Sequence, residues 1–531
     1  MRTYNVILKK GVDYQSFWDD MENENDGGNL YIPNRRVDSP NLRPHSQRQT
    51  WYTLSDEEAE TVRNDERVLA VEIPPEDRDD IVIGHHAIQT GVFTKTTSDS
   101  GNYQNWGLIR TLSKQNNYGA SNTSPTTEYP YSLTGKGVDV VIQDSGIQTN
   151  HPEWADRFES VDWGAYSGGF TQSVNHDRDT DGHGSHCAGI AFGKTFGFAK
   201  GARVHHQKIA GLEGTGDSGT GINPTYAFDA IKGWHNAKSV DPNTGYVRPT
   251  VVNMSWGYLR TFTNATITEV NYRGTSYTGT DIDSTSEREN NYGLMYSLYS
   301  SGTYSSNLRI ASVDTDIEEM LEAGIHITIA AGNRSNKVDE FGGTDYDNYW
   351  TTTSLTTYYH RGSSPYGDAG NDGSPRAIIV GNMDSSVHDS TTDRKATSSE
   401  TGPGVDIYAP GTNVMSATSN TNRFTDGAYY LNSSFRECNI SGTSMAAPQV
   451  AGVLACMLEL HPEWTPAQAK QWLKDNAGST ILNTGTSNDW TNDRSLKGGS
   501  PKVLHLPFSN PQPAKVSGFE NLTFNIKIKE K

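Results

Sequence analysis

From Trp106 onward, short runs of Val, Ile, Leu and Ala alternate with longer stretches whose apolar residues recur at helical spacing. Val138–Ile142, Val251–Met254, Ile325–Ala330, Ala377–Val380 and Val405–Tyr408 predict strands. Tyr226–Asn236, Asp316–Ala323, Met445–Leu460 and Pro466–Asn476 predict helices. The strand runs are nearly continuous rather than alternating, the pattern of strands covered on both faces. An α/β fold with a central, mainly parallel sheet follows. In such sheets the ligand crevice lies beyond the carboxyl ends of the strands, so the residues just after each strand matter most.

Residues 1–83 read as a separate, small α+β unit. Tyr4–Lys10 predicts a strand, and the polar stretch Glu22–Gln49 predicts a loop. Ser55-Asp56-Glu57-Glu58 is a capping box opening a helix to about Asn64. Val68–Ile73 predicts a strand that Pro74-Pro75 ends. Residues 84–103 turn to Gly, Ser and Thr and predict a linker. The main domain is expected over 104–505, with an extension over 506–531. In that extension Leu522, Phe524, Ile526 and Ile528 share one face and predict an edge strand guarded by Lys527 and Lys529.

A formal charge of −19 argues against a nucleic-acid partner, because phosphate binding needs a basic surface. The three cysteines, Cys187, Cys438 and Cys456, cannot make a disulfide framework. The only apolar stretch near the start, Val6–Leu8, is too short for a secretion signal or a membrane span. The expectation is a cytoplasmic protein with no membrane association.

Beyond the strands stand four residues with chemistry: Asp144 in Gln143-Asp144-Ser145-Gly146, His183 opening DGHGSHCAG, Asn333 closing HITIAAGN, and Ser444 in SGTSMAAPQVAG. An Asp after a strand is ordinarily a turn former, and a Gly-flanked His a surface residue. Four such residues around one sheet, each beside Gly, Ala or another small residue, are not explained by turns alone.

In this order VVIQDSGI, HGSHCAG, NMSWG, AAGN and SGTSMAAPQVAG resemble the signature segments of subtilisin-like serine proteases, over roughly residues 104–480. SHCAG is closer to the proteinase K branch. The resemblance implies a three-layer subtilisin-like fold and an endopeptidase. In it Ser444 is the nucleophile, His183 the general base and acid, and Asp144 the group orienting the imidazole. Asn333 and the Ser444 N–H would hold the oxyanion. It further implies that Ser255-Trp256-Gly257 and Ala330-Ala331-Gly332 are the two substrate-binding walls, with Trp256, where relatives commonly have Leu, narrowing the pocket. Pro448 would sit in the first helical turn, where its missing N–H costs little.

Two rival protease readings fail. His186-Cys187 and Gly216-Asp217-Ser218-Gly219 imitate chymotrypsin-type fragments but are too close together for a two-barrel fold. Cys187 lies inside the helix after His183 and reads as a buried thiol. The resemblance further implies protein or peptide substrates and residues 1–83 as an intramolecular inhibitor. No cofactor is required. Calcium is a family ligand without an assignable position, and Gly193–Gly197 lacks the acidic insertion that would cage it. Two inserts, 258–307 and 334–373, are expected to overhang the cleft and restrict substrate choice. The reading from another class is a particle or scaffold component, virus-associated, whose protease domain is silent or acts once.

Overall fold

A computed structural model describes residues 1–22, 32, 35–37, 39, 43, 45–78, 80–85, 105–116, 129, 131–242, 244–263, 266–300, 302–385, 392–486, 489–492 and 494–507. Most of the expected linker and all of the expected tail strand lie outside these residues.

The N-terminal unit contains β1 (Arg2–Leu8), α1 (Tyr14–Glu22), β2 (Gln49–Leu54), α2 (Asp56–Arg63) and β3 (Val68–Glu72). Its antiparallel sheet has the order β2-β1-β3 and buries Val6, Leu8, Phe17, Tyr52, Leu54 and Val62 against the two helices. The capping box is formed: Glu58 N–H donates to the Ser55 hydroxyl, while the Ser55 N–H donates to the Glu58 carboxylate. α1 is absent from the sequence expectation because its fully buried stripe is only Phe17 and Met21, too little for a periodic signal.

β4 (Ile81–His85) leaves this unit and joins a different sheet. Then follow α3 (Trp106–Arg110), β5 (Asp139–Asp144), α4 (His183–Phe192), β6 (Arg203–Lys208), α5 (Pro224–Asn236), β7 (Thr250–Met254) and β8 (Trp256–Phe262). The first insert holds β9 (Glu269–Tyr272), β10 (Thr275–Tyr277), α6 (Thr285–Tyr292), β11 (Ser297–Ser300) and β12 (Thr303–Asn307). After α7 (Ala311–Glu322) and β13 (His326–Ala330) the second insert adds β14 (Tyr349–Thr351) and β15 (Thr356–Tyr358). The chain closes with β16 (Ile378–Met383), β17 (Ile407–Pro410), β18 (Val414–Thr418), β19 (Asp426–Ala428), β20 (Arg436–Ile440), α8 (Thr443–Leu460) and α9 (Pro466–Asn476).

The central sheet is parallel, with six strands in the order β17-β16-β13-β7-β5-β6. One core packs α4 and α8 on it through Ile190, Ala191, Val450 and Leu454. The other packs α5 and α7 through Phe228, Ile231, Ile317 and Met320. These are the two outer layers of a three-layer α/β architecture. Register places Gln143 and Ile329 on either side of Met254. The loops after β5, β7 and β13 therefore open side by side at one edge.

β6 is a strand that sequence pattern misses. Its residues Arg-Val-His-His-Gln-Lys look solvent-facing, yet His205, His206, Gln207 and Lys208 are buried. Hydrogen bonds explain this: His205 Nδ1 lies 2.8 Å from the Glu159 carbonyl, and Gln207 donates to Ala227 O at 3.0 Å. α8 is long and apolar enough to cross a membrane, but 89% of that window is buried inside the protein.

The two inserts build one structure. β9 pairs with β14 in a four-stranded sheet of order β10-β9-β14-β15, over Phe262, Val270, Tyr292, Trp350 and Tyr359. A second sheet, β11-β12-β8-β4, links this lobe to the edge of the crevice.

The N-terminal unit sits on α5 and α7. Both Glu72 carboxylate oxygens accept N–H groups at the start of α7, from Ala311 and Ser312 at 3.1 Å each. Arg43 pairs with Asp316 and Arg48 with Glu318, all four buried. Thr225 at the start of α5 donates to Glu76 at 2.7 Å. A carboxylate on exposed helix-terminal N–H groups is a charge-assisted contact of about 1.5–3 kcal/mol. Glu72→Ala is therefore expected to weaken retention of a cleaved N-terminal unit by ~10- to 100-fold. Release measured by gel filtration of a nicked sample reads this directly, and retention equal to wild type would refute it.

Candidate active site

The crevice is built from the last residue of β5 and the first turns of α4 and α8. Asp144 Oδ1 lies 2.8 Å from His183 Nδ1 and also accepts the Ser145 N–H at 2.7 Å. Both side chains are fully buried. With Nδ1 donating to a carboxylate, the imidazole is held in the tautomer whose Nε2 can accept a proton. Burial pushes the His183 pKa down to about 3, while Asp181 pulls it back up.

His183 stands where it does because of local packing that pattern reading did not identify. Asp179 accepts the N–H groups of Asp181, Gly182 and Ser185, together with the Ser145 and Ser185 hydroxyls. One carboxylate thus caps α4 and ties it to the end of β5. Gly184 is required by close approach, since a Cβ there would fall 2.0 Å from the Gly146 carbonyl oxygen. The signal available in the sequence was an Asp four residues before the helix, which reads equally well as a turn.

Ser444 is the second residue of α8, after Gly442 at φ +149°, and is fully buried. Its hydroxyl donates to the Ser255 carbonyl at 3.0 Å rather than to His183. The two residues are nonetheless joined through one thiol. Cys187 Sγ lies 3.9 Å from His183 Nδ1 and donates to the Ser444 carbonyl at 3.4 Å.

Pro448 corrects a sequence expectation. α8 begins at Thr443, so Pro448 is inside the helix rather than in its first turn. The N–H it lacks would have bonded the Ser444 carbonyl. That carbonyl instead accepts the Ser255 hydroxyl at 3.0 Å and the Cys187 thiol. The proline thus frees an acceptor that ties the serine to β7's loop and to the histidine helix.

Asn333 Oδ1 accepts the Thr443 N–H at 3.0 Å and the Thr443 hydroxyl at 3.2 Å. Thr443 Oγ1 also accepts the Gly332 N–H at 3.1 Å. The amide oxygen is committed to the residue before Ser444, which fixes the plane of the Asn333 amide. Ala331 is set by its N–H to Val380 O and by Tyr366 OH donating to its carbonyl at 2.6 Å. On the opposite side, Ser255 joins β7 to β8, whose first two residues are Trp256 and Gly257. The Trp256 ring does not project into the crevice as expected. It lies in the core against Phe228 and Tyr258, its Nε1–H donating to Gln143 O at 2.9 Å.

An acid–imidazole pair beside a serine at a helix start, at the carboxyl edge of a parallel sheet, defines the class of subtilisin-like serine hydrolases. The family comparison agrees: residues 135–503 match the Subtilase family, and the chain belongs to it. It is 27% identical over 427 residues to Subtilisin-like protease 1 of Trichophyton tonsurans, covering 78% of this chain and 59% of that one. The Trichophyton rubrum protein of the same name is 27% identical over 455 residues, covering 84% and 62%. The chain thus spans about 60% of the length of these curated relatives. Among solved structures, fervidolysin from Fervidobacterium pennivorans, a keratinolytic enzyme related to subtilisin, superposes with a TM-score of 0.53 at 15% identity. That match covers 97% of this chain and 61% of that one, and it shows the fold.

Subtilases often bind calcium, and residues 193–197 do not fit that ion. Of the carboxylates beside that segment, Glu153 already accepts the Thr195 and Phe196 N–H groups and the Tyr429 hydroxyl, and Asp156 is paired with Lys194 at 3.0 Å. The cluster His176, Asp177 and His206 has ligand atoms near one another. Its two rings are stacked at 5.0 Å and 21°, His176 Nε2 accepts the Lys208 N–H at 3.2 Å, and His206 Nε2 lies 2.9 Å from Asp177.

Proposed function

We propose that the protein is a serine endopeptidase made as a self-inhibited precursor, acting on protein or peptide substrates. The observation that carries the catalytic reading is the buried 2.8 Å bond between Asp144 and His183, with Ser444 held across Cys187 from that imidazole. Rotation of the Ser444 side chain from the Ser255 carbonyl toward His183 Nε2 would complete the relay. Ser444 Oγ then attacks the scissile carbonyl as His183 takes its proton, and His183 returns the proton to the leaving amine. Asp144 stabilises the imidazolium. The oxyanion would meet the Ser444 N–H and the Asn333 side-chain amide, whose oxygen is already anchored on Thr443. Asn333→Ala is expected to lower kcat by ~10²–10³ with KM little changed. Steady-state kinetics on one peptide substrate checks this, and an unchanged kcat would remove Asn333 from the mechanism.

The precursor reading is supported by β4. It pairs antiparallel with β8, placing Gly84 opposite Gly257 and His85 opposite Trp256. A substrate backbone would add to β8 in the same way, so the chain's own segment occupies the substrate's side of the crevice. Mass spectrometry of the purified N-terminus tests the precursor. A product beginning between about Gly84 and Tyr103, absent in Ser444→Ala, supports self-cleavage. Its presence in both proteins would assign the cut to another protease. The silent scaffold reading is disfavoured, because a domain without catalysis has no need of a buried carboxylate on a buried imidazole. Labelling by a fluorophosphonate probe at Ser444 would exclude it.

A further inference from the structure

We infer that Arg260 forms an outlying subsite that selects an acidic side chain, aspartate or glutamate, well upstream of the scissile bond. This rests on the endopeptidase reading above and on where one buried cation finds its carboxylate.

Arg260 lies on β8, the strand to which β4 adds. The ladder pairs Ile81 with Arg260 at one end and His85 with Trp256 at the other, and the Thr261 N–H donates to the Asp80 carbonyl at 3.3 Å just beyond it. Arg260 Nη1 lies 3.0 Å from Asp80 Oδ2, and its side chain is 5% exposed against 31% for the aspartate. The cation is thus the buried member of the pair. Asp80 is shared, because Arg78 also donates to it, from Nε at 3.1 Å and from Nη2 at 3.0 Å.

Among the described residues Asp80 is the one carboxylate within ion-pairing distance of Arg260, and Arg260 Nε has no hydrogen-bond partner. Arg260 is the only charged residue on β8, and the neighbouring strand β12 has none. Ser306, opposite Arg260 on β12, contributes only a neutral hydroxyl. Burial pulls the Arg260 guanidinium down to about 10, which Asp80 opposes and Arg78 reinforces. Asp80 and Arg78 both precede β4, so they leave together when a cleaved N-terminal unit departs. Arg260 then lines the open edge of β8 without a counter-charge, and a half-buried cation in that state favours an arriving carboxylate.

Register says which substrate residue supplies it. A chain bound in place of β4 and continued one residue past Trp256 meets Ser255, whose carbonyl accepts the Ser444 hydroxyl at 3.0 Å. Counting back along the ladder, the place of Asp80 is six residues before the one beside Ser444. β-strand addition supplies the main-chain affinity, and Arg260 supplies the side-chain selection.

The test uses the full chain cut in its linker, by itself or by an added protease, and peptides long enough to reach Arg260. The peptides differ only in the residue that takes the place of Asp80. Wild type is expected to favour glutamate or aspartate over alanine by ~10-fold in kcat/KM, with lysine below alanine. In Arg260→Gln the ratio of glutamate to alanine should fall to within about threefold of unity. Arg260→Lys should keep the direction of the preference, and Arg260→Glu should invert it towards lysine, which a merely structural role would not do. Equal wild-type activity on the glutamate and alanine peptides would overturn the inference, as would an unchanged ratio in Arg260→Gln. Fluorophosphonate labelling separates the two levels. Labelled Ser444 without acid preference sinks only the role of Arg260, whereas unlabelled wild type sinks the protease reading and this inference with it.

Discussion

Replacing Ser444 by alanine is expected to lower kcat by about 10⁶-fold, the scale known for loss of this serine in subtilisin. Fluorophosphonate labelling should disappear and the precursor should stay uncut. The effect is so large because Ser444 is the only attacking atom, and what remains is oxyanion stabilisation and binding. Stability should change little, since the hydroxyl makes one hydrogen bond, to Ser255 O, worth about 1 kcal/mol. Residual activity within 100-fold of wild type would require a different nucleophile, and peptide mapping of the labelled protein would locate it.

Asp144→Asn is expected to lower kcat by about 10⁴-fold without unfolding the protein. The Ser145 N–H and the His183 Nδ1–H point at the same Oδ1, so an asparagine oxygen placed there carries no charge to stabilise the imidazolium, and an amide nitrogen placed there sets donor against donor. The imidazole relieves that conflict by adopting the other tautomer, which leaves Nε2 protonated and unable to accept from Ser444. Circular dichroism should match wild type. A loss below tenfold would remove Asp144 from the relay.

Acid should act on the same pair with a defined sign. In the proposed relay His183 works as the neutral base, and burial lowers its pKa to about 3 from the unperturbed value of about 6.5. Activity is thus retained above the folded value and lost as pH falls through it. The stability contribution follows the same direction: fully present above about 6.5, it declines as pH drops towards 3, because the unfolded chain takes up the proton first.

The strands β5, β7, β13 and β16 were legible because each is buried on both faces and written in Val, Ile and Ala. The helices α5, α8 and α9 were legible from spacing and, for α9, from a Pro at its first position. β6 and α1 were not. The first buries histidines and a lysine through tertiary hydrogen bonds, and the second has too narrow an apolar stripe. Trp256 shows the same limit within the site. Its letter and place in the motif suggested a pocket residue, but only the packed core shows its ring turned away.

The sequence by itself put Asp144, His183, Asn333 and Ser444 forward as the candidate chemistry, in that order, because each lies in a short segment with a recognisable local geometry. Tertiary structure alone decided what those residues touch. Asp179 binding β5 to α4, Pro448 releasing the Ser444 carbonyl, the two inserts joining through β9 and β14, and Arg260 against Asp80 are all contacts between distant parts of the chain. Local preference acts over a few residues, whereas burial and hydrogen bonding act on whatever the fold brings together.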